Sequence, residues 1–204
     1  MNCHVAIKEI ENRLNDDSVF VACAALRALA ILNSSSSVPR ILRRLKNKYL
    51  DDKVKYGELA RVDAIEALVE LEAVECAKEI SSCLGDRFAS VRHAAIRAVL
   101  SFDYKHSIPQ IIGCLDFYSE FSINADVVRS SAIKALVAFD SRESIPQILS
   151  LLNDEAAMVR SAAIDALSKM GVEDVEARIE ELLHDEALIV RNSASAALKR
   201  LRQI

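Results

Sequence analysis

In the stretch DEAAMVRSAAIDAL, residues 154–167, Val159 is followed directly by Arg160 and then, four, five, seven and eight positions on, by Ala163, Ile164, Ala166 and Leu167. Those apolar offsets fall on one face of a helix with 3.6 residues per turn. Small alanines at +4 and +7 let a neighbouring helix come close. The frame returns 31 residues later in DEALIVRNSASAAL, residues 185–198, and earlier in DRFASVRHAAIRAV, residues 86–99. With Val21, Ala60 and Val128 as further zero positions there are six copies. Arginine occupies +1 in five of them (Arg61, Arg92, Arg129, Arg160, Arg191), and Ala22 stands there in the first. The +5 position holds Leu26, Ile65, Ile96, Ile133 and Ile164, then Ser195 in the last copy.

A second helix precedes each of these. It is anchored on Leu14, Leu45, Leu84, Leu115, Leu152 and Leu183, with an isoleucine four residues before every leucine: Ile10, Ile41, Ile80, Ile111, Ile148 and Ile179. All three prolines, Pro39, Pro109 and Pro146, sit six before the leucine, each two residues after a serine (Ser37, Ser107, Ser144). Serine as N-cap with proline in the first turn is a helix start, because the N–H that proline lacks would have had no helical partner. The repeat is therefore a helix pair, A then B. Pairs are expected over 4–32, 38–71, 74–101, 107–139, 144–169 and 174–202. The fold class is all-α: a right-handed α-solenoid of six such pairs, forming a single repeat domain over 1–204.

Composition agrees. Of 204 residues 51% are apolar, only four are glycine and three proline, too little turn chemistry for a many-hairpin β fold. The net charge of -4 gives no general attraction to nucleic acid or to an anionic membrane. No apolar run approaches the length of a membrane span, and the first helix, interrupted by Lys8, Glu9, Glu11 and Arg13, does not read as a signal peptide. Cytoplasmic localisation is expected. Five cysteines with no C-x-x-C spacing read as reduced, buried small hydrophobes.

Between helices A and B lie Asp16, Asp86, Asp154 and Asp185, each five before the B-helix zero, where a carboxylate can cap the helix and meet its dipole. The pattern D-x-x-x-x-V-R-x-x-A-x-x-A-L in a unit of about 31 residues resembles the HEAT-like repeats of phycobilin lyase subunits, over nearly the whole chain. The resemblance implies an Asp–Arg ladder between successive repeats, here involving Asp86 with Arg92, Asp154 with Arg160, Asp185 with Arg191 and their neighbours. It also implies interruptions, where Ala22 replaces the arginine and where Lys55 and Ile123 replace the aspartate. An alternative function follows from the same resemblance: a phycobilin lyase-type subunit that handles a tetrapyrrole for attachment to a phycobiliprotein.

Two of the A-to-B connections are long, Lys46 to Glu58 and Asp116 to Asp126, and in a stack of pairs both would project from one rim. They hold Tyr49, Tyr56, Phe117, Tyr118 and Phe121, half of the ten aromatics. Insertions in solenoids commonly mark a binding face. The second candidate surface is the concave B-helix face. There the +2 row (Cys23, Val62, His93, Ser130, Ser161, Asn192) and the +6 row (Arg27, Glu66, Arg97, Lys134, Asp165, Ala196) are expected to be open. Its charges are mixed, with no continuous basic track for phosphates. No phosphate loop, nucleotide fingerprint, nucleophile elbow or zinc-protease motif occurs, and the four histidines are scattered over different repeats. No cofactor, metal or catalytic residue is expected. The reading is a non-catalytic scaffold, adaptor or inhibitor that binds another protein through Tyr49, Tyr56, Phe117, Tyr118 and Phe121 on the rim and His93, Arg97 and Lys134 on the groove.

Overall fold

The computed structural model describes residues 3–47, 56–118 and 124–202. Every regular element among them is helical. The A helices are α1 (Cys3–Asn12), α3 (Val38–Lys46), α5 (Ala77–Ser81), α7 (Ile108–Gly113), α9 (Ile145–Ser150) and α11 (Glu176–Glu181). The B helices are α2 (Val19–Ile31), α4 (Glu58–Glu70), α6 (Ala89–Ser101), α8 (Ala125–Ala138), α10 (Ala157–Lys169) and α12 (Leu188–Leu201). The six expected pairs are all present, and the B helices are the longer partners.

The A-to-B turn has one construction wherever it is short. The A helix tightens into a 3₁₀ turn, and the aspartate that follows is extended, with ψ near 150° in Asp86 and 144–146° in Asp16, Asp154 and Asp185. Its Oδ1 accepts the N–H two residues on: Ser18, Phe88, Ala156 and Ala187, at 2.8–3.0 Å. The expected cap is thus an Asx turn that delivers the chain to the helix, with the aspartate two residues ahead of the N-cap position. Ser37, Ser107 and Ser144 do occupy N-cap positions ahead of their prolines but make no capping bond to the helix. Two of them turn backward instead: Ser144 Oγ donates to the Ser141 carbonyl, and Ser37 Oγ donates to Glu11 of the preceding A helix. A 3₁₀ turn ahead of each serine makes that direction the nearer one.

The B-to-A turn has a construction of its own. After each of the first five B helices the residue at +12 (Asn33, Glu72, Asp103, Asp140, Gly171) has φ between 47° and 59°. The next N–H reaches back to the carbonyl five residues earlier, as in Ser34 to Leu29 and Ala73 to Leu68 at 3.0 Å. This is a Schellman closure, in which a left-handed residue satisfies carbonyls the helix end would leave open. Only one of the five is glycine.

The described residues form two compact units, 1–104 and 105–204, each of three helix pairs. In the first, α4 packs between α2 and α6; in the second, α10 packs between α8 and α12. The alanines at +4 are buried in all six copies, and the isoleucine of each A helix is fully buried in copies two to six. Leu26, Ile65, Ile96, Ile133 and Ile164 at +5 are likewise core.

Candidate partner-binding site

Adjacent B helices leave an open groove in each unit. Between α4 and α6 it has a volume of about 330 Å³, with a floor of Ile65, Val69, Ala94 and Ala98 and a rim of Glu66, Glu70 and Arg97. Between α8 and α10 it is smaller, about 130 Å³, with a floor of Ile133, Val137, Ala162 and Ala166 and a rim of Lys134, Asp165 and Lys169. The two are built from equivalent positions, +5, +6 and +9 of one helix with +3, +6, +7 and +10 of the next. Their rims have opposite net charge: two acids with one base in the first, two bases with one acid in the second. Arg97 approaches Glu66 only to 3.8 Å in solvent, a pair worth little. Arg97 and Lys134, expected on this face, are both exposed there.

The +2 row is not open in the same way. Cys23, Ser130 and Ser161 are buried and Val62 and His93 half-buried, leaving Asn192 exposed. Position +2 faces the next B helix rather than solvent: Ser161 Oγ lies 2.9 Å from Ser193 Oγ on α12, and Ser130 Oγ lies 3.6 Å from the Met158 sulfur on α10. Cys23 sits beside Asp63 of α4. Burial first, and then the hydrogen bond and charge of Asp63, push its thiol up to about 12, so it is inert rather than nucleophilic. Asp63 in turn is paired with Arg27 at 3.0 Å.

Of the rim aromatics, Tyr49 and Phe121 lie outside the described residues. Tyr56 is exposed, with φ of 68° just ahead of α4. Phe117 is half-buried, and its carbonyl accepts from Arg129 Nη1 at 3.0 Å. Tyr118 is 56% exposed, yet its ring lies 4.3 Å from the Arg129 guanidinium and its hydroxyl donates to Asp154 Oδ2 at 3.1 Å. Burial, followed by the charge of Asp154, raises the Tyr118 phenol. This side chain therefore has one face on a buried ion pair and another toward solvent.

That ion pair belongs to the ladder, whose sense differs from the expected one. Arg61 donates to Asp86, Arg129 to Asp154 and Arg160 to Asp185, each at 2.8–2.9 Å and each 25 residues apart. A carboxylate is thus held by the arginine of the repeat before it. The arginine of its own repeat bonds its backbone carbonyl instead: Arg92 to Asp86, Arg160 to Asp154 at 2.8 Å and Arg191 to Asp185 at 2.7 Å. One arginine can therefore lock its own turn and the next, as Arg160 does. The hydrogen bond from Arg160, outweighing burial, holds the Asp185 carboxyl below the usual range. Ile123 and Lys55, the expected gaps in the ladder, lie outside the described residues.

Helix pairs with a V-R frame, a D–R ladder and close alanine contacts thus recur through the described residues. Residues 124–199 match the family model of the HEAT repeats. That segment carries HEAT repeats, and the rest of the chain folds into the same kind of helix pair. Its fold is the all-α solenoid of that type, and no curated protein matches the sequence. Among solved structures, an engineered protein from a structural genomics consortium is similar at a TM-score of 0.60 and 15% identity, over 100% of this chain and 98% of that one. The CpcE–CpcF complex of phycocyanin lyase from Nostoc sp. gives 0.61 and 19%, over 96% and 76%. A designed armadillo repeat protein in complex with the peptide (KR)4 gives 0.59 and 19%, over 95% and 98%. At these identities the likeness is one of fold. Among the described residues, no three His, Cys, Asp or Glu side chains gather as a metal set, and no helix is long and apolar enough to cross a membrane.

Proposed function

We propose that this HEAT-like chain is a non-catalytic scaffold that holds a segment of another protein on its B-helix face. The observation that carries the reading is the pair of equivalent grooves. Each offers an apolar floor for aliphatic stems and a charged rim for their heads, a combination suited to long charged side chains. The acidic rim of Glu66 and Glu70 suits a lysine or arginine of the partner, and the basic rim of Lys134 and Lys169 suits an aspartate or glutamate. Tyr56 and Tyr118 are exposed aromatics of the kind that anchors interfaces, and Tyr49, Phe117 and Phe121 belong to the same two connections in the sequence. His93 enters the reading only as the half-buried sequence neighbour of the groove residue Ala94.

The test is affinity capture from native lysate with mass spectrometry, run in parallel on the wild type, Glu70→Lys and the double variant Lys134→Glu with Lys169→Glu. The expected result is one protein retained by the wild type and lost from both groove variants while their melting curves stay unchanged. Equal retention by all three would overturn the assignment. A new visible absorption band on mixing the pure protein with a free bilin would move the function to tetrapyrrole handling.

A further inference from the structure

The two grooves carry opposite charges at equivalent places and hold them differently. At +6 on facing helices the first has Glu66 and Arg97, which approach to 3.8 Å. The second has Lys134 and Asp165, with the signs reversed, and Lys169 one turn beyond Asp165 on α10. Asp165 thus has one lysine four residues on along its own helix, a spacing that favours pairing, and another across the groove. Among the described residues it forms an ion pair with neither. Both lysines are exposed and Asp165 is half-buried. Two cations and one anion are left around an apolar floor for an occupant to meet.

An anion for the lysines can come from an acidic side chain or from the C-terminus of a chain, and the groove suits the second. Its volume of about 130 Å³ lies below that of pockets for whole small molecules, roughly 300–1,000 Å³, and is of side-chain size. Aspartate and glutamate bring a carboxylate on one or two methylenes, too little to cover Ile133, Val137, Ala162 and Ala166, and they offer Asp165 only a like charge. A C-terminal aliphatic residue offers three complements from a single Cα: two carboxylate oxygens, an apolar side chain and an N–H donor. Bonds of that kind, with one partner ionised, are the stronger ones. Met158 extends the match. It precedes Asp165 by seven residues and so lies on the same face of α10, about 10.5 Å along the helix. The Ser130 hydroxyl of α8 lies 3.6 Å from its sulfur, and the residue is 46% exposed. An extended chain covers that distance in about three residues.

We propose that the α8–α10 groove binds the C-terminal end of a partner protein, a chain whose last residue is leucine, isoleucine or valine. The α-carboxylate lies between Lys134 and Lys169, the last side chain covers the floor, the last N–H donates to Asp165, and an apolar residue three places earlier rests on Met158. This rests on the reading of the B-helix face as a protein-binding surface and narrows the occupant of its second groove to a chain terminus. The free carboxylate is the discriminating group, because the backbone of an internal segment, whatever its sequence, has none.

The test offers the immobilised full chain two pools of random decapeptides, one with free C-terminal acids and one with C-terminal amides, and sequences the retained peptides by mass spectrometry. The acid pool is expected to be enriched about tenfold or more in Leu, Ile and Val at the last position, with apolar residues favoured three places earlier. The amide pool should show neither preference. The double variant Lys134→Ala with Lys169→Ala should abolish the enrichment and Asp165→Asn should reduce it. Met158→Ser should erase only the preference three places back. Each variant is expected to melt with the wild type. Equal retention of the amides, still dependent on the two lysines, would overturn the proposal and leave the wider reading in place, since an acidic side chain within a segment would then be the ligand. Enrichment indifferent to the lysines, or none in either pool, would overturn it as well, and the lysate capture with Glu70→Lys would then judge the wider reading by itself.

Discussion

Arg129 Nη2 donates to Asp154 Oδ1 at 2.9 Å, and both side chains are removed from water, at 2% and 0% exposure. Asp154 also fixes the turn ahead of α10 through Ala156, and Arg129 also holds the Phe117 carbonyl. The pair is therefore a junction between two repeats and two turns. Truncating one partner leaves the other charge buried without its counter-ion, which costs about 3–5 kcal/mol. Asp154→Ala and Arg129→Met should each lower the unfolding free energy by that amount in urea titrations. The double variant should lose clearly less than the sum. Additive losses would mean that the two side chains act separately.

Tyr118 covers this junction. Tyr118→Ala removes a ring from a guanidinium and should cost about 1 kcal/mol of stability, with Tyr118→Phe costing less because only the hydroxyl bond to Asp154 is lost. If the exposed half of the ring also anchors a partner, Tyr118→Ala should weaken that complex by about 2 kcal/mol or more. Thermal melts and binding isotherms on the same two variants separate the roles. A fall in melting temperature with wild-type affinity would make Tyr118 purely a lid on the ion pair.

Glu72 carries φ of 52° in the turn after α4. A left-handed conformation costs a residue with a Cβ roughly 1–2 kcal/mol. Glu72→Gly is expected to raise stability by about 1 kcal/mol. The same change at Asp103 should do less, since aspartate tolerates this region better. A destabilised Glu72→Gly would show that the glutamate side chain makes contacts worth more than the strain.

Asp185 has its carboxyl held low by the hydrogen bond from Arg160. Its unfolded value is about 3.9, so the extra native stability is complete above that pH and disappears as pH falls through the lower folded value. The melting temperature should therefore drop on acidification below about pH 4. Asp185→Asn should melt lower than the wild type at neutral pH, with the gap closing in acid. A gap that stays constant with pH would remove the ladder from the acid response.

Much of this was legible in the chain itself because the signal is repeated six times. The Ile–Leu anchors and the zero, +4, +5 and +8 stripe are the core, and the helix boundaries fall within a few residues of those expected. What was not legible depends on partners outside one repeat. Ser130 and Ser161 are small and polar and read as open groove, but position +2 turns toward the next helix, where a serine can be buried by bonding a carbonyl or another serine. The resemblance implies a ladder of these aspartates and arginines but not its sense, because sequence offers no way to tell a carboxylate from a carbonyl as the acceptor. The Schellman turns escaped notice because four of their five left-handed residues are Asn, Glu or Asp. Aligning position +12 across the copies would have exposed them.

The ladder also bears on how such a chain can change length. Asp154 and Asp185 are 31 residues apart, and every rung spans 25. Deleting residues 154–184 would bring Asp185 to the position that Asp154 held, in register with Arg129 and delivering an equivalent turn to the helix that follows. A gene that gains or loses one such unit meets matching chemistry at the seam, and the new junction needs no compensating substitution. Reach along the surface can then be selected separately from what each groove recognises.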